Sequence, residues 1–145
     1  MRGHAAHRSH RAVVLAILSV VPGVGCFSDP AGDMLGGEIE PTLSSIQEHV
    51  FTPTCAVSGC HAPPAQLDLD LSPGNAHASL VGVASVEQPS RNRVTPGDAV
   101  ESYLYMKVTG DPRISGDRMP AGGAPLSAGE IEAIRAWIED GAADD

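Results

Sequence analysis

Residues 55–61 read CAVSGCH. Two thiols and an imidazole in one short segment are compatible with three chemistries: covalent haem attachment, a small disulfide loop, or part of a zinc site. The choice bears on the fold, because this chain has little to build a core from. Aromatic residues make up 3% of its 145 positions, and small domains with thin cores rely on a disulfide, a metal or a cofactor.

The other cysteine narrows the context. Arg2, Arg8 and Arg11 precede the apolar run AVVLAILSVV, and PGVG then leads into Cys26. A basic region, a short apolar region and small residues make an export signal over residues 1–25. The small residues before Cys26 suit lipidation of that cysteine; the alternative is ordinary cleavage near Gly25, leaving a thiol. Outside the cytoplasm thiols are oxidised or chemically committed, and the two that remain, Cys55 and Cys60, both lie in the quoted segment. The expected location is the periplasm or the outer membrane, as a lipoprotein.

With residues 1–25 removed, six basic residues face eighteen acidic ones, a formal charge of −12. Such a surface repels phosphate backbones, which excludes nucleic acid as a partner. It also repels anionic lipid, so membrane association rests on the N-terminal acyl anchor. Attraction to a basic partner protein is the positive counterpart.

Residues 26–40, rich in Gly, Pro and acid without periodicity, read as a flexible tether. The domain follows over residues 41–143. Leu43, Ile46 and Val50 have helical spacing behind Thr42 as cap, predicting a helix over Leu43–Phe51 that FTPT breaks. NAHASLVG predicts a second helix, with Asn75 as cap after Pro73-Gly74 and Gly82 as stop. Asp98 and Glu101 have capping-box spacing for a third, with Val100, Leu104 and Val108 on one face. The last helix is the best specified. Ser127 and Glu130 form a capping box and Leu126 and Ile131 a hydrophobic staple; Ile131, Ile134, Trp137 and Ile138 make the buried stripe, and Gly141 ends it. No strand is convincing, so the class is all-α with long Gly/Pro-rich loops.

Covalent haem attachment needs two thiols for the two vinyl groups and an imidazole directly after the second thiol. Cys60-His61 supplies that step, and the gap between Cys55 and Cys60 is four residues where C-x-x-C-H has two. Gly59 and Ser58 suit the extra bend. On the opposite face Met119, in DRMPAGG, is the candidate ligand, because a thioether suits haem iron and His/Met ligation raises the potential. Met106 lies within the third helix and reads as core. His49 and His77 are alternatives under bis-histidine ligation. Arg93 is the candidate partner for a propionate. A disulfide between Cys55 and Cys60 gives no role to His61 or the Met-Pro loop, and zinc lacks a fourth ligand.

From VFTPTCAVSGCH through LDLDLS, RVTPGD, SYLYMKV and RMPAGG to AIRAWIEDGA, the order of motifs resembles the cytochrome c-like domains of exported myxobacterial and planctomycete proteins. The similarity covers nearly all of residues 46–142. It implies a compact all-α fold whose first and last helices cross, attachment at Cys55 and Cys60, His61 as proximal ligand and Met119 as distal ligand. The widened cysteine gap departs from the commoner pattern of that family. The implied function is electron transfer through one haem c to a redox partner, without catalysis. A low-spin His/Met iron has no open position, and no nucleophile triad or phosphate-binding glycine loop is present. The competing expectation is a structural or binding lipoprotein with a Cys55–Cys60 disulfide.

Overall fold

A computed structural model describes residues 39–145; the expected export signal, Cys26 and the expected tether up to residue 38 lie outside the described residues. Four helices carry the fold: α1 (Leu43–Ile46), α2 (Ala76–Leu80), α3 (Tyr103–Thr109) and α4 (Ala128–Glu139). Among the described residues there are isolated β-bridges, such as Val81 with Val94, but no strand. The chain is all-α at this level. No described helix is long and apolar enough to cross a membrane.

α4 forms as its punctuation dictates. Ser127 Oγ accepts from the Glu130 amide at 3.3 Å and Glu130 Oε2 accepts from the Ser127 amide at 2.6 Å. A cap of this kind contributes about 1 kcal/mol. Ile134, Trp137 and Ile138 are buried and Ile131 packs against the same cluster. The Trp137 indole also donates to the Ala143 carbonyl at 2.9 Å. α4 packs on both α1 and α3.

At α1 every exposed amide of the first turn finds an acceptor, as a buried helix end requires. Thr42 Oγ1 accepts from Ser45. Leu43 and Ser44 donate to the Asp145 side chain and backbone carbonyl, at 2.8 and 2.9 Å. Asp145 therefore clasps the start of the fold, and Ile39 packs against the core.

FTPT does not break the first helix. The chain continues from Ile46 as a π-helix over Gln47–Cys55, with Pro53 inside it. A register of i→i+5 bonds adds a residue to each turn, so two turns cover about nine residues. Ile46 and Cys55 are nine apart; α-geometry at ~100° per residue would put them on opposite faces. In the wider register Ile46, Val50, Phe51 and Cys55 all face the core.

Two other helix starts differ from expectation. The Asn75 side chain does not cap α2, because its amide donates to Asp70 Oδ2 at 2.9 Å. α3 begins at Tyr103. Asp98 Oδ1 does accept from the Glu101 amide at 3.0 Å, but the Glu101 carboxylate is held by Arg91 and Arg113. The reciprocal half of the box is therefore missing. Residues 99–101 form a turn, and Val100 is 58% exposed, off the core face assigned to it.

Candidate functional site

The π-helix delivers Cys55 to the head of a closed loop. The Cys55 carbonyl accepts from the His61 amide at 3.1 Å, and the Cys60 amide donates to Val57 at 3.0 Å. The four intervening residues thus fold back as a turn. Gly59 makes it possible with φ +81°, a left-handed conformation that L-residues rarely adopt. Beyond the turn, the Cys60 carbonyl accepts from Gln66 at 2.9 Å and the His61 carbonyl from buried Leu71 at 2.8 Å. The Gln66 side-chain amide donates to Gly59.

Met119 is placed by α3. The last carbonyls of a helix lack intrahelical donors, and here the following loop supplies them. The Met119 amide donates to Lys107 and Arg118 Nε to Val108, both at 2.9 Å. Gly110 ends the helix at φ +74°, a left-handed conformation that favours glycine, and a Cβ there would press on Arg118 Cδ at 3.0 Å.

Cys55, Cys60, His61, Arg93 and Met119 all border one cavity of about 850 Å³. That size lies within the roughly 300–1,000 Å³ typical of pockets for small molecules and cofactors. Apart from Arg93, the expected site residues come from two segments some sixty residues apart in sequence; the fold brings them to the same space. Of the exposed large hydrophobic residues among those described, Val57, Leu67 and Val86 also line it.

The donor groups are in uncommitted states. His61 Nδ1 is buried without a hydrogen-bond partner. Burial, the leading cause, lowers the His61 pKa below its ordinary value; the positive Arg93 and Lys107 act the same way, against the carbonyls of Leu69 and Gln66. A neutral imidazole is the ligating form. Cys55 and Cys60 are unpaired thiols. Burial first, then the Glu130 carboxylate and Cys60, pushes Cys55 up to about 11. Among the described residues no three His, Cys, Asp or Glu side chains converge as a metal set.

Glu130 to glutamine should separate these causes, since glutamine also serves in a capping box. In a haem-free Cys60→Ser background, the pH profile of Cys55 alkylation by iodoacetamide should move to lower pH while burial keeps it above an ordinary thiol. An unmoved profile would remove Glu130 as a cause.

The remaining candidates lie elsewhere. His49 is exposed, and the His77 ring is 3.0 Å from the Ala142 carbonyl; neither borders the cavity. Met106 is buried away from it, as a core residue. Arg93 borders it, but three guanidinium hydrogen bonds go to the carbonyls of Leu67, Asp68 and Ser79.

Sequence reasoning missed a polar group on the wall. Buried Lys107 pairs with Glu87 at 3.0 Å and donates to Ser115 at 2.9 Å; Tyr103 donates to Glu87 at 3.1 Å. The available signal was the chain's single lysine, set four residues after a tyrosine within an otherwise apolar helix. No protein-family model, curated protein or solved structure matches this chain.

Proposed function

We propose that this protein is an exported, haem-carrying electron-transfer module, held at a membrane through lipidated Cys26. The observation that carries this reading is the meeting of Cys55, Cys60, His61 and Met119 on one cavity of about 850 Å³. They fit the group: two unpaired thiols, an imidazole with a buried unpartnered nitrogen, and a thioether from a separate loop. Cys55 and Cys60 would hold the macrocycle through thioethers, and His61 and Met119 would ligate the iron, while the Arg93 guanidinium is committed to the carbonyls of Leu67, Asp68 and Ser79. The chemistry supplied by the bound group is one-electron exchange at iron.

The chain's own residues shape that chemistry. The apolar part of the wall, including Leu71, Leu80 and Leu126, would favour the less charged reduced iron. Thioether ligation pushes the potential the same way. The acidic surface would orient a basic redox partner. With His61 and Met119 both holding the iron, the module would move electrons and act on no substrate.

The test is a pyridine haemochrome spectrum and a haem-stained denaturing gel, on protein produced with a cytochrome c maturation system. A covalent stain, lost in the Cys55→Ala/Cys60→Ala double variant, is expected. Colourless protein with a mapped Cys55–Cys60 disulfide would replace this reading with that of a structural lipoprotein.

A further inference from the structure

We propose that Arg93 is a positioning residue: its buried guanidinium holds Leu67 and Asp68 in a left-handed double turn, and so fixes the cavity wall beside His61. Leu67 and Asp68 have φ of +57° and +54°. Two consecutive non-glycine residues in that region are unusual, at a cost of about 1–2 kcal/mol each, and such a conformation persists only where its surroundings impose it. Arg93 imposes it. Nη2 donates to Leu67 at 2.7 Å, and Nη1 to Asp68 at 3.2 Å and to Ser79 at 2.8 Å.

The arginine is itself anchored on both sides. Its amide donates to Val83 at 2.7 Å and its carbonyl accepts from Leu104 at 2.9 Å. It is 7% exposed, so the guanidinium is a fixed fork between three carbonyls. Lysine has the charge but not the planar set of donors.

The turn has two consequences at the cavity. Leu67, half exposed, is presented as part of the lining. The residues flanking the turn tie it to the Cys60–His61 segment, because the Gln66 amide donates to the Cys60 carbonyl and the Leu71 amide to the His61 carbonyl. An arginine twenty-six positions away thereby acts on both the wall and the surroundings of the candidate ligand. Groups around a metal-ligating histidine commonly change metal affinity or activity by 10–100-fold when removed.

The experiment compares the full chain with Arg93→Lys, Arg93→Gln and Leu67→Ala. Amide exchange is read first on haem-free protein, so this result does not depend on the haem reading. Exchange at Leu69 and Leu71, whose amides bond to Gln66 and His61, should rise at least about tenfold in both Arg93 variants as the turn opens locally. It should not change in Leu67→Ala. Exchange in α4 is the internal control. The second readout, on haem-loaded protein, does rest on that reading: Arg93→Lys and Leu67→Ala should both lower the reduction potential as water reaches the site. Wild-type exchange at Leu69 and Leu71 in Arg93→Lys would overturn the proposal, because charge alone would then suffice. So would an equal rise throughout α4. Colourless protein would remove the haem reading and leave the exchange result standing.

Discussion

Trp137→Ala should lower the unfolding midpoint by at least about 12 °C. The indole is 1% exposed in the contact between α4 and the rest of the core. Truncating a fully buried tryptophan costs about 3–5 kcal/mol, through lost transfer free energy and the cavity left behind. It would also remove the hydrogen bond from Nε1 to the Ala143 carbonyl. Each kcal/mol moves the midpoint of a domain of this length by about 4–8 °C, out of a total stability of about 5–15 kcal/mol. Circular dichroism melts of wild type, Trp137→Ala and Trp137→Phe measure it. The phenylalanine variant should fall between the other two, because it keeps most of the packing and loses the hydrogen bond. A midpoint shifted by less than about 5 °C in Trp137→Ala would remove the indole from the centre of the core.

The second large effect concerns the proposed ligation. In haem-loaded protein Met119→Ala should abolish the far-red sulfur-to-iron band, lower the reduction potential and open the iron to an added ligand such as imidazole. The reason is chemical: a thioether favours the reduced iron, and its loss removes that preference. Met106→Ala is the control. Met106 is buried and does not border the cavity, so its truncation should cost about 2–5 kcal/mol of stability and leave the band intact. Persistence of the band in Met119→Ala would assign the sixth ligand elsewhere. The two variants separate a ligand from a packing residue by readouts that do not overlap.

These expectations draw unequally on sequence and structure. The last helix was legible to the residue, because the Ser127–Glu130 box and the Leu126–Ile131 staple act within one turn of chain. The same spacing at Asp98–Glu101 misled. Arg91 and Arg113, ten and twelve residues away, take the Glu101 carboxylate, and an opposite charge outweighs a cap that is worth about 1 kcal/mol. Asn75 misled for a related reason: Asp70 offers its side-chain amide a charged acceptor.

The chemistry-bearing residues were likewise legible as types. Thiols, an imidazole and a methionine before Pro-Gly loops declare themselves in any linear reading. What the residues share is not legible, since the cavity joins the Cys55–His61 loop to the segment following α3 through bonds between distant backbones. Arg93 shows the limit. Its charge suggested a ligand contact, while its burial and three carbonyl partners give it a task in the protein itself.

The sequence by itself determined the all-α class, the extent of α4 and the set of candidate donors, because capping, helical period and side-chain chemistry are properties of a few neighbouring residues. Only the tertiary structure decided that the first helix widens from Gln47 and runs through Pro53 to carry Cys55 inward, that Lys107 and Val108 dock the Arg118–Met119 segment, and that Arg93 holds the turn beside His61. Each of these depends on hydrogen bonds or packing between segments far apart in the chain. Their partners are chosen when the backbone folds, and no local pattern encodes which carbonyl a given donor will meet.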